Sequence, residues 1–137
     1  MDIPIKDKSN YLRGLLIIAK KDKQLTEPEK RIIRELAEKL GFASDFYEET
    51  LRSLLANKYI KEEPIIFSNK KIAMSFIEDG LKLASSGESF SSAELEWLRE
   101  TAKLNSIEEE WFEDKMQSIK SLPTKSLNTD FALYSII

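Results

Sequence analysis

The sequence of 137 residues contains no cysteine and no histidine. The first absence removes disulfides, thiolate metal sites and thiol nucleophiles, and the second removes the commonest general base and the commonest transition-metal ligand. Neither a Gly-rich phosphate loop nor a nucleophile elbow is present. Only four glycines and four prolines occur, so the composition is neither collagenous nor of low complexity. No stretch approaches the roughly 18 apolar residues of a membrane span. The start, Met1-Asp2-Ile3-Pro4-Ile5-Lys6-Asp7, has no apolar run behind a basic segment, so a cytoplasmic protein without membrane insertion is expected. Catalysis is not expected. Carboxylates are abundant, but a carboxylate-pair hydrolase needs two carboxyls across a cleft with an unusual pKa, and nothing in the sequence selects a pair.

What is present reads as one helical domain. Apolar residues make up 42% and charged residues 33% of the chain, enough for a single buried core, and the richness in Leu, Ile, Glu and Lys favours helix. The net charge of −3 gives no reason to expect nucleic-acid binding. Charge is nevertheless uneven: residues 1–34 hold nine Lys/Arg against five Asp/Glu, and residues 88–114 hold nine Asp/Glu against Arg99 and Lys103. Such asymmetry marks a solvated helix face or a surface for a partner.

An internal repeat emerges at an offset of 65 residues. Residues 11–56 align without gaps on 76–121 with eight identities, among them Glu29/Glu94, Arg34/Arg99 and Glu48/Glu113. Fourteen of the 46 positions are apolar in both segments, against about 8 for independent placement. The pairs include Tyr11/Phe76, Ile32/Trp97, Phe42/Ile107, Phe46/Trp111 and Tyr47/Phe112. The expected architecture is therefore all-α, two tandem three-helix repeats forming one compact helical domain. Repeat one covers 9–57, a linker 58–68, repeat two 69–122, and an apolar tail 123–137.

Each repeat resolves into three helices. Tyr11, Leu12, Leu15, Leu16 and Ala19 form one apolar stripe at helical spacing, and Ile72, Ala73, Phe76, Ile77, Leu81 and Ala84 form its counterpart. The second helices open on Thr26-Glu27-Pro28-Glu29 and Ser91-Ser92-Ala93-Glu94, where a hydroxyl and a glutamate three residues on can cap each other's backbone N–H. Pro28 falls in the first turn, where its missing N–H costs nothing. Gly41 closes the first of these helices, and Asn105 is expected to close the second in a left-handed conformation. The third helices carry Phe46, Tyr47, Leu51, Leu54 and Leu55, then Trp111, Phe112, Met116 and Ile119; Trp97, Trp111 and Phe112 are expected in the core at their helical spacing, with an aromatic recognition surface as the alternative. The run Glu108-Glu109-Glu110 opens the last helix, where the dipole favours negative charge. In the linker Pro64 stops any helix, Ser68 can cap the next one, and Ile65-Ile66-Phe67 is expected to strap the core. The tail Phe131-Ala132-Leu133-Tyr134-Ser135-Ile136-Ile137 should pack on its own core or on a partner.

The turn between the first two helices of each repeat reads Ala19-x-x-Asp22-Lys23-Gln24-Leu25-Thr26-x-x-Glu29 and Ala84-x-x-Gly87-Glu88-Ser89-Phe90-Ser91-x-x-Glu94. Over most of residues 9–121 the chain resembles the TerB family of tellurite-resistance-type proteins, whose signature is an alanine-ending helix, an Asp-Gly turn, a hydrophobic residue, a Ser/Thr cap and a Glu three residues on. The resemblance implies an all-helical bacterial stress-response protein in which acidic residues near this turn bind metal ions. Asp22 matches the turn aspartate, whereas Lys23 stands in place of the glycine and Gly87 in place of the second aspartate, followed by Glu88. Hard cations such as calcium or magnesium need several oxygen ligands. Asp22, Glu29, Glu88, Glu94 and Glu100 are the candidate ligands, with capping as the competing role for Glu29 and Glu94. No cofactor beyond such a divalent cation is expected.

These features lead to three functional expectations. The first is a TerB-like stress-response binding or scaffold module that engages a protein partner, with weak cation binding at the inter-helix turns. A small-ligand-binding protein or carboxylate-dependent enzyme with a pocket between the repeats is the alternative. The third is a metal-free interaction domain of the kind attached to DnaJ-type co-chaperones.

Overall fold

The computed structural model describes residues 3–21, 26–56, 62–86, 92–121 and 131–137, with the backbone alone at 51 and 54–56. Among them every regular element is helical: α1 (Ile5–Lys21), α2 (Glu27–Leu40), α3 (Ser44–Ala56), α4 (Lys70–Ser85), α5 (Ser92–Leu104), α6 (Glu109–Lys120) and a terminal 3₁₀ turn, Ala132–Ser135. The expected all-α, compact fold is present.

The helix ends follow from local chemistry. Thr26 sits in extended backbone ahead of α2; its hydroxyl accepts from the Glu29 N–H at 3.3 Å while the Thr26 N–H donates to Glu29 Oε1 at 3.1 Å. This reciprocal cap satisfies two N–H groups that the helix itself leaves unpaired, and Pro28 occupies the first turn as expected. Gly41 ends α2 at φ 95°, a conformation open to glycine because it has no Cβ. The end of α5 departs from expectation. Ser106, not Asn105, takes positive φ, at 62°. Asn105 is instead consumed by the strap: its Nδ2 donates to the carbonyls of Ile65 at 2.7 Å and Thr101 at 2.8 Å, and its Oδ1 accepts from the Phe67 N–H at 2.8 Å.

The linker also rearranges one predicted cap. Asn69, not Ser68, caps α4, its Oδ1 accepting the Ile72 N–H at 2.8 Å. Ser68 gives both its N–H and its hydroxyl to Asp7. Asp7 is buried because α1 begins at Ile5, four residues ahead of the boundary expected at 9, and a buried carboxylate requires donors. Within the strap Ile65 and Phe67 are buried while Ile66 is 63% exposed, the alternation of an extended segment. The C-terminal segment packs on its own core: Phe131, Leu133 and Ile136 are buried, each such side chain stabilising by about 1.5–3 kcal/mol relative to exposure.

At the centre α1 packs against α4. α1 also contacts α2, α3 and α5, and α4 contacts α5, α6 and α2. Two glycines permit the close crossing. A Cβ at Gly14 would overlap the Phe76 ring, and one at Gly80 would lie 2.8 Å from Leu98 Cδ2 and 3.0 Å from Ile18 Cδ1. Tyr11, Phe67, Phe76 and Trp97 form a continuous aromatic chain across this junction, with centroids 5.1–6.2 Å apart.

Trp97 and Phe112 are buried as expected, whereas Trp111 is only half-buried; on α3, Tyr47 is buried and Phe46 is 52% exposed. The buried position on α3 goes to Tyr47, and Phe46 turns aside to stack on Phe42 at 5.4 Å. Leu25, Phe90 and the Ser91 cap lie outside the described residues, as do the side chains of Leu51, Leu54 and Leu55. The crossing yields a prediction. Gly14→Ala is expected to lower stability by about 1–3 kcal/mol through overpacking, overriding the ~1 kcal/mol that alanine gains over glycine in a helix; chemical denaturation checks it, and a neutral or stabilising result would remove the close approach from the account.

Candidate functional site

Residues at i, i+3, i+4 and i+7 share one face of a helix, and on α1 that face presents Ser9, Leu12, Arg13 and Leu16. Opposite it stand Phe42, at the turn into α3, and Phe46 and Thr50 of α3. These side chains enclose an apolar groove of about 120 Å³. Leu12 and Leu16 form its buried floor, and the Phe42–Phe46 stack, with rings 14° from parallel, forms one wall. An apolar cavity of roughly 150 Å³ accommodates benzene, so this somewhat smaller groove, open on one side, is on the scale of a single apolar side chain. Arg13 is exposed at its rim and makes no ion pair among the described residues.

A second polar node lies on α4. Asp79 is completely buried, yet its carboxylate accepts from the Tyr11 hydroxyl at 2.5 Å, the Ala132 N–H at 2.7 Å and the Leu133 N–H at 3.0 Å. It thereby fastens the C-terminal turn to α4 and α1 together. Burial raises its pKa to about 6, against the opposing pull of these hydrogen bonds and of Lys82. Burial, followed by the charge of Asp79, holds the Tyr11 hydroxyl well above its ordinary range, so it remains a donor. Both oxygens of Asp79 are occupied by structural bonds. Next to this node, Met74, Glu78 and Trp111 share a cavity of about 170 Å³ with Ala132, Ser135 and Ile136 of the C-terminal segment.

Of the five candidate cation ligands the structure describes Glu29, Glu94 and Glu100, and these three do not form one group. Glu29 is buried in the Thr26 cap, where its Oε1 also accepts from the Thr26 hydroxyl at 2.8 Å. Glu94 is buried near the start of α5, and Glu100 is exposed on the outer face of α5. Asp22 and Glu88 lie outside the described residues. No group of three or more carboxylates placed to hold a metal ion occurs among the described residues. The acidic run on α6 is partly neutralised from within. Glu108 pairs with Lys70 at 3.1 Å, which lowers the Glu108 pKa, and Arg99 pairs with Glu109 at 3.0 Å and with Glu113 while lying over the Phe112 ring.

Sequence reasoning missed Arg13 and Asp79. Asp79 carried a legible signal: it stands three residues after Phe76 and four before Leu83, at helical spacing on an apolar face where only a partnered charge is tolerated. Arg13 carried none, because an arginine beside an apolar stripe is ordinary. Comparison with protein-family models, with curated proteins and with solved structures found no match. No described helix is long and apolar enough to cross a membrane.

The Asp79 node sets a pH dependence. Its folded pKa, about 6, lies above the ordinary 3.8, so the folded state binds the proton more tightly and this group's contribution to stability falls as pH rises from about 4 to about 6. Wild-type stability measured relative to Asp79→Asn is expected to decline across that window; a difference that rises or stays flat would contradict the assignment.

Proposed function

We propose that the chain is a TerB-like binding module of two tandem three-helix copies that engages a protein partner and performs no catalysis. Correspondences at the 65-residue offset support the two-copy reading. α1, α2 and α3 begin at Ile5, Glu27 and Ser44, and α4, α5 and α6 begin at Lys70, Ser92 and Glu109. The left-handed residues are Gly41 and Ser106, and the bonds around them repeat: Gly41 to Glu38 and Phe42 to Ala37, then Ser106 to Lys103 and Ile107 to Ala102. Arg34 pairs with Glu48 at 3.9 Å, and their counterparts Arg99 and Glu113 also pair. Across the α1–α4 junction Tyr11 meets Asp79 and Phe76 meets Gly14, which is one contact and its exchange under a two-fold relation.

The observation that carries the binding reading is the open apolar groove with Phe46 half in solvent. A large aromatic held exposed beside an apolar cavity marks an interaction surface more than a scattered exposed residue does. The alternative of a ligand pocket between the copies is disfavoured by the close approach at Gly14 and Gly80, which fills that junction. Glu29 serves Thr26 in this reading, so cation binding is not required for partner engagement.

Cross-linked affinity purification from the native cell, with a chelator present, tests the proposal using wild type and Phe46→Glu. A partner held by wild type and lost from the variant at equal thermal stability is the expected outcome. Equal capture by both proteins would remove the groove from the reading, and capture that disappears with chelation alone would transfer the role to a bound cation.

A further inference from the structure

The two copies share a framework but treat one groove differently. Resting on the two-copy reading, the groove positions Ser9, Arg13, Phe46 and Thr50 correspond to Met74, Glu78, Trp111 and Lys115. In the second copy the corresponding side chains are tied to one another. Lys115 pairs with Glu78 at 2.6 Å and lies 5.6 Å from the centroid of the Trp111 ring, and Met74 and Trp111 pack against the core. The chain's own C-terminal segment lines the adjoining space through Ala132, Ser135 and Ile136. In the first copy the strap ends at Ser68 and the chain enters α4, and among the described residues no equivalent segment lines the groove. Smaller Ser9 and Thr50 stand where the other copy has Met74 and Lys115, and the charge at position 13 is inverted relative to position 78.

We infer that the α1–α3 groove docks an acidic peptide segment of a partner protein, inserting one aliphatic or aromatic side chain between Leu12, Leu16 and Phe46 and setting a carboxylate against Arg13. Volume and charge both point to this occupant. The groove, about 120 Å³, matches one side chain in size, and Arg13 makes no ion pair among the described residues, so it is placed to meet an external anion. Lys6 and Arg13, a helical two turns apart, make the α1 rim basic, whereas exposed Asp45 and Glu49 lie on α3. The carboxylate of the bound segment therefore faces α1, which fixes the orientation of the segment as well as its sign. A rim charge of this kind governs specificity and association more than raw affinity.

Amide NMR of the full chain, titrated with a short synthetic peptide carrying one leucine flanked by glutamates, tests the inference against the glutamine analogue. Shifts should centre on Leu12, Leu16, Phe42, Phe46 and Thr50. Affinity should fall roughly fivefold or more for the glutamine analogue and for Arg13→Glu, and binding should be lost in Phe46→Ala. A graft of the second copy's residues, Ser9→Met with Arg13→Glu and Thr50→Lys, should keep the fold and abolish binding. Absence of shifts in the wild type, shifts elsewhere, or equal binding of the two peptides would overturn the inference. Concentration-dependent groove shifts without peptide would also overturn it, making a second copy of the chain the occupant. Loss of folding in the graft alone would strike the two-copy equivalence instead, and the single variants would still decide the docking.

Discussion

The crossing of α1 over α4 holds the rest of the molecule in place. Gly14 and Gly80 let the two helices approach closely enough for Phe76 and Leu98 to sit where side chains would otherwise intervene, and Tyr11 crosses the same junction to reach Asp79. Each central helix then carries its own pair of flanking helices and touches one helix of the other set. The two extended segments that follow the third helices return to this junction. Asp7 on α1 receives the linker through Ser68, and Asp79 on α4 receives the C-terminal turn through Ala132 and Leu133. Two buried carboxylates, each expensive to desolvate and each paired with backbone donors, thus tie the irregular parts of the chain to its two central helices.

Much of this frame was legible in the residues. Helical periodicity and the repeat offset located all six helices, and Thr26 with Glu29 announced a cap that is present in reciprocal form. Prediction failed where tertiary partners outbid local preference. Asn105 is well suited to a left-handed helix end, but its side chain bonds the strap at Ile65 and Phe67 and its own helix at Thr101, and the turn moves to Ser106. Ser68 is a good cap, but buried Asp7 takes both its donors and Asn69 replaces it. Phe46 fits a core pattern by hydrophobicity alone, and periodicity could not distinguish it from Tyr47, the neighbour that enters the core. The groove was illegible for a related reason: it exists through what Ser9 and Thr50 fail to fill, and an unfilled volume has no residue to mark it.

Under the two-copy proposal, divergence between the halves is the feature with functional content. Arg34 with Glu48 and Arg99 with Glu113 each form an ion pair, whereas the groove positions exchange size and charge with their counterparts. Lys115 pairs with Glu78 in the second half, and the proposal assigns partner binding to the first. Of the acidic turn residues, Glu29 is engaged by Thr26, and Glu100 is exposed on α5.

If the α1–α4 crossing makes the two halves of the fold interdependent, they should open as one unit. Native-state hydrogen exchange of amides in the middle of α1, such as Leu15 and Ile17, and of α4, such as Phe76 and Ile77, measures this directly. The account predicts equal opening free energies for both helices, matching global unfolding by denaturant. Exchange of one helix through a lower-energy opening while the other stays protected would contradict it.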